Sequence, residues 1–195
     1  MKTDMILAGV GGQGILSIAT ILGAAALADD LYIKQAEVHG MSQRGGDVQS
    51  NLRLSSDPIA SDLIPMGGAD IIVSLEPMEA LRYIQYLKPE GWVVTNTAPF
   101  ENIPNYPDKA VIDGALGSIK RLVAFDMDEM AKQVATARSS NMVLLGAASP
   151  MVDLPTEKIE AGISAIFARK GEAILNSNLA AYRAGREFTL NLLDR

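Results

Sequence analysis

The chain has 195 residues, 48% of them hydrophobic, a length that can bury a full core within one compact α/β domain. It contains no cysteine and a single histidine, His39, so on its own it offers neither the ligands of an iron–sulfur cluster nor a Cys/His zinc site. With 17 basic and 23 acidic side chains the net charge is −6, which argues against a nucleic-acid partner because neutralising phosphates needs a basic face.

The first residues, Met1-Lys2-Thr3-Asp4, place an acid where a signal peptide would be positive, and the following apolar residues run into glycines rather than a cleavage site. The longest early apolar run, residues 15–28, is interrupted by Ser17, Thr20 and Gly23 and is too short to span a bilayer. A cytoplasmic location without a membrane partner is the expectation. Residues 5–8 read as a strand that stops at Gly9-Val10-Gly11-Gly12-Gln13-Gly14, and an Ala/Ile/Leu-rich helix follows as far as Asp29-Asp30. Residues 31–36 read as a second strand, parallel to the first by the right-handed crossover rule. A polar, glycine-punctuated loop covers residues 37–46. Residues 47–54 then alternate, with Val48, Ser50, Leu52 and Leu54 on one side and Gln49, Asn51 and Arg53 on the other, as a half-exposed strand does.

Residues 69–75 form the near-continuous apolar run of a buried parallel strand. Glu76-Pro77 opens a helix through Ala80, Leu81, Ile84 and Leu87, which Pro89-Glu90-Gly91 ends before a strand over residues 92–97. Prolines 99, 104 and 107 mark an irregular loop, residues 122–125 a last short strand, and Asp126 a helix cap. From Ser139 onward the pattern is helical, near residues 141–148, 156–169 and 172–192. No linker, repeat or low-complexity tract divides the chain. The expected architecture is a single domain over residues 1–195: a doubly wound, mostly parallel sheet with C-terminal helices. On the tail, Ile159, Ile163, Ile166 and Phe167 share one face, which suits core packing better than docking a partner.

Gly9-x-Gly11-x-x-Gly14 has dinucleotide-fingerprint spacing between a strand and a helix, where glycines permit a tight turn and close approach of backbone N–H groups to an anion. Glu37, at the end of the second strand, stands where a ribose-binding acid would sit. Taken alone, these features fit a free-standing NAD(P)- or flavin-binding protein, or glycines kept only for packing. The segment Glu37-Val38-His39-Gly40-Met41-Ser42-Gln43-Arg44-Gly45-Gly46 adds His39, Gln43 and Arg44 among glycines at a strand's carboxyl end, planar donors suited to a phosphate or carboxylate. The plainer readings are a hydrogen-bonded scaffold histidine and an arginine in a subunit-interface ion pair. Other templates fail: there is no Gly-x-x-x-x-Gly-Lys-Ser/Thr loop, no Gly-x-Ser-x-Gly elbow and no thiol nucleophile. Asp29-Asp30 and the Asp126, Asp128 pair sit at helix ends, where capping explains them.

The glycine turn, the residue 37–46 segment, Ile64-Pro65, Ala69-Asp70 and Glu76-Pro77-Met78-Glu79-Ala80, continuing through Tyr86-Leu87-Lys88-Pro89, Asn96-Thr97 and Asn141-Met142-Val143-Leu144-Leu145-Gly146-Ala147, resemble the gamma-type subunit of the 2-oxoacid:ferredoxin oxidoreductases. Val38-His39-Gly40-Met41-Ser42-Gln43 before Arg44-Gly45-Gly46 is most similar to the beta subunit of the indolepyruvate branch; Ser42, commonly alanine in that pattern, is a small departure. The resemblance implies a Rossmann-like fold and a share in oxidative decarboxylation of a 2-oxoacid. It also implies that thiamine diphosphate and iron–sulfur clusters reside on a larger partner subunit, that electrons leave to ferredoxin, and that the acyl group passes to coenzyme A near this chain's edge. On this reading His39, Gln43 and Arg44 are the candidate catalytic residues, Arg44 holding an anionic group and the other two orienting it. Gly9, Gly11, Gly12, Gln13, Gly14, Gly45 and Gly46 are the candidate cofactor-binding residues, and no metal ligand is expected.

Overall fold

The structure is a computed structural model that describes residues 1–39, 45–101 and 103–194. Among them, six strands form one sheet: β1 (Lys2–Val10), β2 (Tyr32–His39), β3 (Asp47–Ser55), β4 (Ala69–Ser74), β5 (Leu87–Asn96) and β6 (Leu122–Phe125), in the order β2-β3-β1-β4-β5-β6. The helices are α1 (Ile15–Leu27), α2 (Pro77–Arg82), α3 (Lys109–Gly117), α4 (Met127–Val134), α5 (Ser140–Ala148), α6 (Thr156–Phe167) and α7 (Glu172–Leu193). β1, β4, β5 and β6 pair in parallel, and β3 pairs antiparallel to both β1 and β2. Two antiparallel steps restore direction, so β2 does run parallel to β1. The two are not neighbours, however, because β3 lies between them. The expected α/β fold is therefore present as a mixed sheet with one reversed strand.

Pleating gives the sheet two different faces. Met5 and Leu7 of β1 and Leu52 and Leu54 of β3 point into the larger core, which α1 joins with Ile15, Ile18, Ile21, Leu22 and Ala25 at helical spacing. All nine residues of α5 are buried in this core layer, and α7 packs over it. The α5–α7 crossing is very close: a Cβ on Gly146 would lie 1.9 Å from the Tyr182 carbonyl oxygen, and one on Gly185 would lie 2.0 Å from that of Val143. Ile159, Ile163 and Phe167 of α6 are buried here and Ile166 packs against them, so that stripe is core. The other face is smaller, with Ile6, Ala8, Ile72 and Val93 beneath Ala80 of α2, Tyr83 and Ile64. It also holds the buried Asp4–Arg53 pair, joined by hydrogen bonds of 2.7 and 2.9 Å. Arg53 donates further to the Ser61 and Leu63 carbonyls, tying the residue 56–68 loop across this face.

Three local expectations differ from the structure. The helix opened by Glu76-Pro77 ends at Arg82; one 3-10 turn (Ile84–Tyr86) follows, and β5 begins at Leu87. The ladder jumps from Ala69↔Leu87 to Ile71↔Trp92, an irregularity that accommodates Pro89 inside a strand. Leu87 Cδ1 and the Asp70 carbonyl fill the space a Gly91 side chain would need, and Lys88 pairs with Asp70, so tertiary contacts outweigh the turn signal. β2 continues through Glu37 and Val38 to His39, where a loop was expected, because each pairs with β3. α3 was not legible: Asp113, Gly114 and Gly117 dilute its pattern, and it buries only Ile112 and Leu116. Asp126 does cap α4, accepting from the Glu129 N–H at 2.8 Å.

Candidate functional site

At the carboxyl end of β1 the chain reverses through Gly11-Gly12-Gln13-Gly14 into α1. Gly12 and Gly14 take φ values of +103° and +87°, a region in which a side chain is strained. Gly14 is the N-cap of α1, and no side chain caps that end. Ser17 N–H donates to the Gly14 carbonyl at 3.1 Å, and the start of α1 ahead of it, with the positive end of the helix dipole, stands available for an anion. Gln13 folds back: its Oε1 accepts from Val10 N–H at 2.7 Å, and its Nε2 donates to the Leu75 carbonyl at 3.4 Å. Gly9 makes room, since a Cβ there would sit 2.9 Å from Gln13 Oε1 and from Ile15 Cγ1. The Gln13 side chain is therefore a brace between β1 and β4 that also lines the adjoining cleft.

The second glycine segment meets the first directly. Gly11 N–H donates to the Gly46 carbonyl at 2.8 Å, and Gly45 N–H donates to the Gly11 carbonyl at 3.5 Å, extending the β1–β3 ladder past Val10↔Asp47. Gly45 takes φ +77°. His39 ends β2 with its backbone opposite Val48, and only its backbone is described; Gln43 and Arg44 lie outside the described residues. The two glycine segments do not leave neighbouring parallel strands: β3 separates β1 from β2 and supplies the contact itself. The same insertion sets Glu37 two strands from β1, about 10 Å away. That removes the acid from the position beside the glycine turn that ribose recognition uses.

Beside the turn opens a cleft of about 630 Å³, whose lining includes Gly12, Gly14, Phe100, Lys132, Arg138 and Asn141. Asn141, in the first turn of α5, donates from Nδ2 to the Gly14 carbonyl at 3.3 Å, and a Cβ on Gly14 would lie 2.6 Å from that nitrogen. A second cleft of about 540 Å³ shares Arg138 and Asn141 and adds Lys170. Lys132 of α4, Arg138 of the α4–α5 turn and Asn141 of α5 were not picked out as site residues, because more than a hundred residues separate them from the glycine turn and nothing in their local pattern points to it.

On the α2 side of this edge, Tyr83 Oη donates to Asp47 Oδ2 at 3.5 Å, next to Gly46. Burial, with the negative charge of Asp47 adding to it, pushes the Tyr83 hydroxyl up to about 12. Burial likewise raises the Glu79 carboxyl, and Arg82, bonded to it at 2.8 and 3.1 Å, partly opposes that. Among the described residues no group of three or more His, Cys, Asp or Glu side chains is arranged to hold a metal ion, and no helix is long and apolar enough to cross a membrane.

The sequence profile of the pyruvate ferredoxin/flavodoxin oxidoreductase family matches residues 4–188. The chain belongs to that family. Indolepyruvate oxidoreductase subunit IorB of Thermococcus kodakarensis is 39% identical over 162 residues, covering 78% of this chain and 79% of the relative. Among solved structures, the keto/oxoacid ferredoxin oxidoreductase gamma subunit of Geobacter sulfurreducens superposes with a TM-score of 0.68 over 97% of this chain and 99% of its own, at 24% identity. The 2-oxoglutarate:ferredoxin oxidoreductase of Magnetococcus marinus, solved with 2-oxoglutarate, coenzyme A and succinyl-CoA bound, superposes with a TM-score of 0.78 at 23% identity. In that case the match covers 97% of this chain but 31% of the longer one. At these identities the structures establish the fold, and the gamma-type assignment rests on the family match and the IorB relatives. The free-standing dinucleotide reading is not favoured, in keeping with the displaced Glu37.

Proposed function

We propose that this chain is the gamma-type subunit of a ferredoxin-dependent 2-oxoacid oxidoreductase of the indolepyruvate or aryl-pyruvate type, forming one domain over residues 1–195 and working in the cytoplasm. A larger partner subunit carries thiamine diphosphate and the iron–sulfur clusters, for which this chain has no cysteine ligands, and passes electrons to ferredoxin. The observation that carries the reading is the hydrogen-bonded junction of Gly11 with Gly45 and Gly46, which joins the glycine turn to the start of β3.

Coenzyme A, when bound there, supplies the thiol that accepts the acyl group. Its phosphates suit the uncapped start of α1, the peptide N–H groups around Gly12 and Gly14, and the cations Lys132 and Arg138 in the adjoining cleft. Gly9 and Gln13 hold the turn in shape from behind. Arg44 holds an anionic group, a cofactor phosphate or a partner carboxylate, and His39 and Gln43 orient it by hydrogen bonding.

Co-expression with the thiamine-binding subunit tests the proposal. The two chains are expected to purify together, and acyl-CoA formation from an aryl-pyruvate is expected to require both. Chains that never associate, with activity residing in the larger one alone, would sink it. Tight stoichiometric binding of NADH by the isolated chain would equally contradict it.

A further inference from the structure

Glu76 is fully buried at the end of β4, yet its role as the N-cap of α2 needs only one of its oxygens: Oε2 accepts from the Glu79 N–H at 2.8 Å. The other oxygen faces the residue 97–107 strap. Oε1 accepts from the Phe100 N–H at 3.4 Å and from the Tyr106 hydroxyl in a short hydrogen bond. A buried carboxylate is costly unless donors surround it, and here the donors come from both arms of one loop. Burial and this contact raise the Tyr106 hydroxyl far above its ordinary range, so it stays a donor at any working pH. The root of the strap is also fixed, with Thr97 N–H donating to the Phe125 carbonyl at 3.0 Å and Ala98 N–H to Asn96 Oδ1 at 3.2 Å. The result is a three-proline loop held at a defined height beside the cleft.

What the strap presents there is Phe100. The residue is 46% exposed and lines the same cleft as Gly12, Gly14, Lys132 and Arg138. An exposed phenylalanine on a loose loop needs no explanation. This one has its backbone latched to a buried acid, and among the described residues it is the one aromatic ring in a cleft otherwise lined by glycines, small or polar side chains, Leu75 and the charged Asp128, Lys132 and Arg138.

We infer that Glu76 is a positioning residue that fixes Phe100 as a stacking wall, and that Phe100 takes the flat adenine ring of coenzyme A when the phosphates lie at the glycine turn. This rests on the reading of the cleft given under Proposed function. A ring of this kind against a nucleobase contributes through area and π-stacking that other planar side chains reproduce and branched aliphatic ones do not.

The test uses the two-subunit complex and compares coenzyme A with pantetheine, which carries the same thiol without the adenine nucleotide. The readout is the ratio of kcat/KM for the two acceptors. Phe100→Ala and Phe100→Leu should lower that ratio about tenfold, mainly through KM, and Phe100→Trp should restore it. Glu76→Gln, whose amide cannot serve the same donors with two acceptor oxygens, should lower the ratio in the same direction in a complex that still assembles. An unchanged ratio in Phe100→Ala, or equal loss in the Trp and Leu variants, overturns the inference even if Glu76→Gln fails to fold. If the larger subunit alone makes acyl-CoA at the full rate, the parent reading fails instead, so the two failures are distinguishable.

Discussion

Glycine serves opposite purposes at the two ends of this molecule's core. At the α5–α7 crossing, Gly146 and Gly185 have ordinary backbone angles and no space: a methyl group on either would press within 2.0 Å of a backbone oxygen. At the β1–α1 turn, Gly12 has φ +103° and nothing within 4 Å of the position a Cβ would take. The first pair is needed because helices meet there, and Gly12 because the chain must bend through a left-handed φ. A sealed interior and an open edge are thus specified by the same residue, and only the neighbours tell them apart.

Substitutions can break this contrast in order of size. Gly185→Ala forces backbone against backbone and should cost about 3 kcal/mol or more, measured as a fall in the denaturation midpoint of the isolated chain. Gly14→Ala combines a left-handed φ with a 2.6 Å approach to Asn141 Nδ2; about 2 kcal/mol is expected. Gly12→Ala meets strain alone, about 1 kcal/mol, so it should leave a folded chain whose complex binds coenzyme A more weakly. A Gly12→Ala penalty equal to that of Gly185→Ala would show that the turn is as tightly packed as the crossing, and the contrast would collapse.

The smallest effect lies outside both regions. Arg183 of α7 grips Glu160 of α6 through two 2.7 Å hydrogen bonds, holding that carboxyl below its ordinary value. A folded-state pKa depressed in this way adds stability that is present above the ordinary value near 4.5 and is lost as pH falls through the lowered one. Because the pair is solvated, Glu160→Gln should cost under about 1 kcal/mol at neutral pH. The gap between variant and parent should close as pH falls below the ordinary carboxylate range.

The open edge was far more legible in sequence than the sealed interior. Gly9, Gly11, Gly12 and Gly14 announced a turn between strand and helix, because spacing between near neighbours reports local backbone geometry. Asp126 announced a cap for the same reason. What sequence did not convey were placements set by distant contacts: β3 inserted between β1 and β2, Asn141 brought onto Gly14, and Glu76 latched to a loop 24 residues further on. β2 does run parallel to β1 but is not its neighbour, because chain direction is fixed by the crossover, whereas neighbour choice depends on where the following strand finds its partners. Gly146 and Gly185 gave no local sign, since a close helix crossing needs two glycines that sequence holds 39 positions apart.

On the proposed function, the joined edge of Gly11, Gly45 and Gly46 carries the chain's part in the reaction, with Arg44 as its anion-holding group. The most direct measurement is acyl-CoA formation by a complex carrying Arg44→Ala, alongside a check of subunit association. A complex that assembles and loses most of its turnover is expected. Normal assembly with full turnover would contradict that function.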